Sequence, residues 1–110
     1  MTNGKDANFV NADDPAFLAV KGHFDDKFDA KQYIKQLAQA VFVVYQKHDT
    51  AKLRCIGAAS LNNAVKAVII ASGEAKKKGF NLATVQSFTT VQFNENEERT
   101  AILLEVVRVD

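Results

Sequence analysis

Residues 53–73 read LRCIGAASLNNAVKAVIIASG, and this stretch has the pattern of a strand, a glycine turn and an amphipathic helix in immediate succession. Polar and apolar side chains alternate over residues 52–56, which predicts a strand that ends at Gly57. Ser60 is expected to be the N-cap of the helix that follows. One face of that helix is expected to contain Leu61, Val65, Val68, Ile69 and Ser72. Such a turn presents backbone N–H groups and the positive end of a helix dipole to an anion.

A further strand and helix precede this stretch. Residues 17–20 predict a short strand, and Asp29 is expected to cap a helix that begins at Ala30 and runs to about His48. Residues 41–45 of this helix, VFVVY, are apolar nearly all round. We therefore expect the helix to be covered on more than one side, by another element or by another subunit.

Gly79 is expected to be the C′ residue that follows the second helix, and the sequence predicts a hairpin after it. Residues 82–93 and 100–109 predict long strands joined by the polar turn NENEE at residues 94–98. The resulting βαβαββ order, with right-handed crossovers, predicts an α/β (α+β) two-layer sandwich with both helices on one face of a mixed four-stranded sheet. The last strand is apolar on both sides, so the sequence does not indicate which side the helices cover.

Length and composition indicate one soluble domain. Residues 1–15 are expected to form a flexible N-terminal tail, and residues 16–110 are expected to form the domain. The hydrophobic fraction of 47% and the mean hydropathy of −0.14 are typical of globular proteins. We expect no membrane segment, because no apolar run approaches roughly 20 residues, and the N-terminus lacks the pattern of a secretory signal. Since Cys55 is the single cysteine, an internal disulfide is excluded and a cytoplasmic location is expected.

The net charge of +1 is distributed unevenly along the chain. Residues 1–30 have three lysines and six aspartates, which gives −3, and residues 81–110 have two arginines and five acidic residues, which also gives −3. Residues 31–80 have nine basic and two acidic residues, which gives +7. A basic segment of this kind attracts polyanions, although lysines on helices are equally typical of a solvated surface.

The sequence contains no arrangement that is typical of an enzyme. His23 and His48 are far apart, and neither has a metal-like spacing to Cys55. The nucleophile elbow, the P-loop and the dinucleotide-binding glycine motif do not occur. The glutamates of residues 94–98 are interpreted as a solvated turn. We therefore expect no catalytic residue, no cofactor and no metal site.

Two segments resemble one bacterial family. Residues 56–73, IGAASLNNAVKAVIIASG, and residues 97–106, EERTAILLEV, together with Phe88 and Val91, closely resemble the stage V sporulation protein S family. The resemblance covers about residues 53–109, whereas the first strand and helix agree in pattern rather than in sequence. That family is similar to the Alba superfamily of small βαβαββ proteins. The resemblance implies binding of nucleic acid, either RNA or DNA, and assembly into a homodimer or a higher homo-oligomer.

The resemblance also implies where nucleic acid binds. Alba-like proteins place nucleic acid against the loop after the first strand and against the start of the second helix. The matching positions here are Lys21, Gly57, Ser60, Asn62 and Asn63. Alba-like proteins that clamp DNA often have a basic hairpin, whereas the hairpin turn here contains Glu95, Glu97 and Glu98. The first loop also differs, because it contains Asp25 and Asp26. Nucleic acid is therefore expected on the helix side and not at the hairpin.

Two functions remain open from the sequence. In the first, a non-enzymatic nucleic-acid-binding protein holds phosphates at the backbone N–H groups of residues 57–61, and nearby lysines neutralise charge. Those lysines are Lys21, Lys27, Lys31, Lys35 and Lys66. Phe24 and Phe28 are the candidates for base stacking. In the second, the chain is a homo-oligomeric assembly or scaffold protein that binds protein partners and not nucleic acid.

Overall fold

The computed structural model describes residues 10–11 and 14–110 of the chain. The elements are β1 (Val10–Asn11), β2 (Asp14–Val20), α1 (Lys27–His48), β3 (Ala51–Cys55), α2 (Ala58–Lys77), β4 (Asn81–Asn94) and β5 (Glu97–Val109). From β2 onward they follow the predicted βαβαββ order. The prediction of an α/β (α+β) two-layer sandwich is confirmed.

The strands form one mixed sheet in the order β1-β2-β3-β5-β4. Strands β2 and β3 are parallel, and the other neighbouring pairs are antiparallel. The four longer strands are the predicted sheet, and the two residues of β1 extend it beside β2. The sheet therefore includes part of the segment predicted as a tail, residues 1–15. The rest of that segment, residues 1–9 and 12–13, lies outside the described residues.

Both helices cover the same face of the sheet, and the core lies between the two layers. Leu18 of β2, Leu53 of β3 and Leu104 of β5 lie side by side in register, and each is at most 2% exposed. Leu37 and Val41 of α1 belong to the same cluster and are fully buried. Burying apolar side chains of this size contributes about 1.5–3 kcal/mol each to folding.

Strand β5 is apolar on both sides, and its register with β3 shows which side faces the helices. The helix-facing side chains are Ile102, Leu104 and Val106, which lie opposite Cys55, Leu53 and Ala51. The other side contains Leu103, Glu105 and Val107, beside Arg54 and Lys52 of β3. The face that turns away from the helices therefore mixes apolar and charged side chains.

Helix α1 begins three residues earlier than predicted. Asp29 is not its N-cap, because the side chain of Asp26 accepts a hydrogen bond from the Phe28 N–H at 2.8 Å and Asp26 has an extended backbone. Asp29 lies in the first turn, where its negative charge favours the helix dipole. The predicted end of the helix at His48 is confirmed.

Helix α2 is capped at its N-terminus by a different residue from the one predicted. Gly57 is the N-cap instead of Ser60, and because glycine has no side chain, the helix has no side-chain cap. The predicted C-terminus is confirmed, since Gly79 has a φ of 93°. The Phe80 N–H then bonds to the Ala75 carbonyl at 3.1 Å, which closes the helix in a Schellman motif.

The buried face of α2 consists mostly of small residues and differs from the predicted face. Its buried residues are Ser60, Asn63, Ala64, Ala67, Val68, Ala71 and Ala75. Of the face predicted from periodicity, Val68 is buried and Leu61 is partly buried, whereas Val65 and Ile69 are 44% and 64% exposed. The alanines let α2 lie close to α1 and to the sheet, and the larger side chains consequently point outward.

The hairpin of β4 and β5 is longer than the rest of the sheet. The two strands pair from Asn81 with Val109 to Asn94 with Glu97, and the turn contains only residues 95–96. Strand β3 pairs with β5 only over residues 102–106. The half of the hairpin nearest the turn therefore projects past β3, and β4 forms an outer edge of the sheet.

Candidate nucleic-acid interface

The candidate interface lies where β2 and β3 end. Because these strands are parallel and Val20 pairs with Cys55, the loop after β2 and the turn before α2 emerge side by side. The loop passes so close to α2 that a Cβ atom on Gly22 would lie 2.7 Å from the backbone nitrogen of Ser60. A glycine is therefore required at this contact, since any other residue would force the backbone to shift.

Asn63 fixes the same loop to α2. Its side chain is only 6% exposed, and Nδ2 donates to the carbonyls of Lys21 at 3.0 Å and Gly22 at 3.1 Å. The Lys21 N–H donates to the Tyr33 hydroxyl at 2.7 Å. Burial raises the pKa of Tyr33, so the hydroxyl remains protonated over a wider pH range. Together these bonds hold the first two residues of the loop in place.

Ser60 also bonds within the protein. It is 1% exposed, and its Oγ donates to the carbonyl of Ile56 at 2.9 Å or of Gly57 at 3.0 Å. The structure thus gives internal partners to both Ser60 and Asn63, two of the side chains predicted to contact nucleic acid. They position the backbone of the junction, and the surface that remains consists of backbone groups and exposed side chains.

The N-terminus of α2 is exposed to solvent. Gly57, Ala58 and Ala59 are exposed, and one turn further along the helix Asn62 is exposed as well. Gly57 has a φ of 89°, a conformation that glycine adopts without strain. The first N–H groups of a helix have no acceptor inside it, and they carry the positive end of the helix dipole. An anion at this turn can therefore accept hydrogen bonds from the backbone.

One of the predicted lysines lines the groove between the two helices, and helical spacing places two others near the same groove. Lys35 lines this groove together with Ile70 and Glu74 of α2. Lys31 and Lys66 precede Lys35 and Ile70 by four residues, so each lies one helical turn closer to the N-terminus of its helix. Both helices start at the carboxyl ends of parallel strands, so this end of the groove is the end nearest the loop. The three lysines therefore add positive charge toward the start of α2.

The remaining two lysines of the predicted site lie at the two ends of the loop. Lys21 is exposed, and its Nζ lies 4.5 Å from the centroid of the Phe24 ring. That ring contacts Tyr33 at 5.0 Å and is partly buried, whereas Phe28 is 65% exposed beside Lys27. Phe28 is therefore the better placed of the two aromatic residues predicted to stack on a base.

The hairpin turn differs in charge from the junction. Glu97 Oε2 accepts hydrogen bonds from Arg99 Nε at 3.1 Å and Nη2 at 3.0 Å. The guanidinium of Arg99 also lies 4.4 Å from the Phe93 ring. Arg99 is therefore engaged locally, and the exposed carboxylates of Glu95 and Glu98 keep the turn acidic.

The single cysteine is buried, and both histidines are exposed. Cys55 is 1% exposed, and burial raises the pKa of its thiol to about 11, so the thiol is protonated at neutral pH. His23 is exposed, with Nε2 at 3.5 Å from Asp25 Oδ1, and His48 lies in the last turn of α1. Over residues 10–11 and 14–110, no group of three His, Cys, Asp or Glu residues is arranged to hold a metal. Within the described residues, neither α1 nor α2 has an apolar stretch of the length that spans a bilayer.

One protein-family model matches most of this fold. The model of the stage V sporulation protein S family matches residues 27–109, from the first residue of α1 to the last residue of β5. The chain belongs to the stage V sporulation protein S family. The match contains the α2 N-terminus, the groove lysines and the hairpin, and it extends the resemblance seen in the sequence to α1. Lys21 and Gly22 precede the matched residues, so the loop that contacts Ser60 lies outside the match.

Sequence reasoning did not identify two residues that shape this site. Gly22 and Tyr33 hold the loop against α2 and against α1, and neither belongs to a recognisable motif. The contact between Gly22 and Ser60 depends on the parallel pairing of β2 with β3. The available signal was a glycine directly after a predicted strand, a position that often marks a close backbone approach.

Proposed function

We propose that this member of the stage V sporulation protein S family is a non-enzymatic nucleic-acid-binding protein. Phosphates contact the junction between the loop after β2 and the start of α2. The observation that carries the proposal is the exposed α2 N-terminus at residues 57–59, together with the groove between the helices that Lys35 lines. Helical spacing places Lys31 and Lys66 one turn before groove-lining positions. Backbone N–H groups and lysines are the groups that bind RNA or DNA phosphates without reading the base sequence.

Other exposed residues extend this surface. Lys21 and Lys27 add positive charge at the two ends of the loop, and Asn62 can donate a hydrogen bond one turn into α2. Phe28, which is 65% exposed, is available to stack on an unpaired base. The acidic hairpin turn repels phosphate, so the nucleic acid follows the helix layer. The protein acts in the cytoplasm, a reducing compartment that suits a chain whose single cysteine, Cys55, is free.

The test of this proposal is fluorescence anisotropy with labelled single-stranded RNA and labelled duplex DNA over a series of salt concentrations. We expect binding at low salt that weakens linearly in a plot of log Kd against log salt, because each phosphate contact releases counterions. For duplex DNA, the slope is about 0.9 per phosphate contact. Lack of binding to both nucleic acids at low salt would contradict the proposal.

A charge-reversal pair localises the contact. Lys31→Glu combined with Lys35→Glu is expected to weaken binding at least about tenfold and to lower the salt slope by about two. The matched control is Lys76→Glu with Lys78→Glu, which makes the same change in net charge near the other end of α2, about 27 Å from its start. The control should change the affinity less than about threefold. Equal losses in both pairs would show that only net charge matters.

Self-association is the second part of the proposal. Val65 and Ile69 on α2 and Phe88 on β4 are 44%, 64% and 80% exposed. Large exposed apolar side chains on two elements that pack against each other, as α2 and β4 do, are typical of an interface, so we propose that the protein is a homodimer. A scaffold protein that binds only protein partners would share this dimer. The salt series separates the two functions, because a scaffold of that kind would not bind either nucleic acid.

A further inference from the structure

Strand β4 leaves an edge of the sheet that is open to pairing. It is 14 residues long and reads NLATVQSFTTVQFN, without a charged residue, a proline or a glycine, in a chain of which 25% is charged. Among the described residues, no strand pairs with its outer side. Edge strands of monomeric proteins usually carry lysines, prolines or bulges that prevent such pairing. The irregularity in β4 lies between Gln92 and Asn94, near the turn, so residues 81–92 have a regular outer edge.

The sequence of β4 is self-complementary about Phe88. When two copies pair antiparallel with Phe88 opposite Phe88, Val85 of one copy lies opposite Val91 of the other, and Gln86 lies opposite Thr90. Apolar side chains then meet apolar ones, and polar side chains meet polar ones. A shift of the two-fold axis by one residue in either direction would place Phe88 opposite Gln86 or Thr90. The pattern therefore favours one register.

The exposure of Phe88 agrees with this axis. Phe88 pairs with Ile102 of β5, and Ile102 pairs with Cys55 at the end of β3, so Phe88 lies level with the start of α2. Its side chain points to the helix side of the sheet and is 80% exposed. A second Phe88 at a cross-strand distance of about 4.5–5.5 Å between Cβ atoms would cover it.

The outward side of α2 supplies further apolar surface next to β4. Ile70 points into the groove with α1, whereas Val65 and Ile69, four residues apart, share a side of the helix that is turned away from α1. Helix α2 also packs against β4. Val65 and Ile69 therefore lie on the part of the helix layer that a second copy would approach.

We propose that β4 pairs antiparallel with β4 of a second copy about a two-fold axis at Phe88, and that the two five-stranded sheets become one continuous sheet. An axis perpendicular to the sheet keeps both pairs of helices on the same side, and because Phe88 lies level with the start of α2, the N-terminal ends of the two α2 helices lie nearest the axis. This interface specifies the contact for the homodimer proposed above and rests on that part of the proposal. It is independent of nucleic-acid binding.

A charge-swap experiment tests the register. Gln86→Lys with Thr90→Lys places lysines opposite lysines across the axis, and Gln86→Glu with Thr90→Glu places glutamates opposite glutamates. Both positions are exposed, and like charges directly opposite on paired strands are destabilising. The measurement is the molar mass by light scattering during size-exclusion chromatography, without nucleic acid. The control is Gln32→Lys with Gln46→Lys, two exposed positions on α1.

The expected results distinguish the interface from self-association in general. The wild type and the control should have twice the chain mass of 12.1 kDa, each double variant alone should be a monomer, and an equimolar mixture of the two should restore the dimer. Thermal unfolding of each variant verifies that it is folded. Double variants that remain dimers, or a mixture that remains monomeric, would overturn the β4 pairing. A monomeric wild type at about 100 μM would overturn both the pairing and the homodimer, since interfaces of standard size hold together at that concentration.

Discussion

The junction before α2 and the hairpin turn between β4 and β5 are both exposed connections, and they are built in opposite ways. At the junction, the polar side chains of Ser60 and Asn63 are buried and bonded inward, and residues 57–59 at the start of α2 are exposed. At the hairpin turn, the carboxylates of Glu95 and Glu98 are at the surface, and Arg99 is engaged by its neighbours. The comparison shows that hydrogen bonds inside the protein can hold a helix N-terminus in a position where an anion could bind, whereas exposed carboxylates repel anions.

The largest expected effect comes from breaking the close contact at the junction. Gly22→Val would place a Cβ atom 2.7 Å from the Ser60 nitrogen and add two methyl groups, so we expect the free energy of unfolding to fall by about 3 kcal/mol. Urea denaturation measures this change. Gly73→Ala is the control, because nothing lies within 4 Å of its added Cβ in α2, and it should raise stability by up to about 1 kcal/mol. Equal stabilities of the two variants would contradict the tight contact.

A smaller effect is expected from the side chain that fixes the loop. Asn63→Ala leaves the carbonyls of Lys21 and Gly22 without their donor, so we expect a loss of about 2 kcal/mol in unfolding free energy and weaker nucleic-acid binding. The neighbouring variant Asn62→Ala, at an exposed position, should change stability by less than about 0.5 kcal/mol. The same urea titration compares the two, and a reversed order would show that Asn63 does not hold the junction.

An ion pair away from both turns should contribute less. Asp14 accepts a hydrogen bond from the Ala16 N–H at 2.9 Å and pairs with Lys52 at 3.0 Å, and these contacts lower the pKa of Asp14. A lowered pKa in the folded state means that the stabilisation is present above the ordinary value of 3.8 and is lost as the pH falls below it. Both side chains are about one-third exposed, so solvent screening limits the effect to less than about 1 kcal/mol.

The variant Asp14→Asn tests this sign. Between about pH 5 and about pH 2, its free energy of unfolding should fall less steeply than that of the wild type, since the native-state preference for the ionised carboxylate is absent. A steeper slope for Asp14→Asn than for the wild type would contradict the assigned direction of the pKa shift.

The smallest effect is expected at the hairpin turn. Glu95→Gln combined with Glu98→Gln removes two negative charges, and the affinity for nucleic acid should rise by less than about threefold if phosphates bind at the junction, because salt screens charges beyond about 10 Å. Anisotropy at one fixed salt concentration is sufficient for this comparison. An increase of tenfold or more would place the nucleic acid against the hairpin instead.

Local patterns predicted most of the fold, and their errors have physical causes. The strand and helix order, the end of α2 at Gly79 and the hairpin follow from periodicity and turn chemistry. The sequence predicts Asp29 as the N-cap of α1, but Asp25 and Asp26 also precede the helix, and only the hydrogen bond to Phe28 selects Asp26. The apolar face of α2 that periodicity predicts is only partly the buried one, because the residues that pack against α1 and the sheet are mostly alanines.

The candidate site was predictable in composition and less so in detail. The glycine turn and the lysines are visible in the sequence, and the structure places Lys35 in the groove between the helices, with Lys31 and Lys66 one helical turn before groove-lining positions. The inward orientation of Ser60 and Asn63 was not predictable, because their partners depend on the parallel pairing of β2 and β3. Contacts between distant parts of the chain decide whether a polar residue faces solvent or the interior.

The most direct test of where nucleic acid binds is a titration of ¹⁵N-labelled protein with single-stranded RNA and duplex DNA, followed by amide NMR shifts. The account predicts that the largest changes occur at residues 57–62 and in the loop after β2, whereas the amides of residues 94–98 remain unchanged. Shifts concentrated at the hairpin turn, with an unperturbed α2 N-terminus, would contradict it.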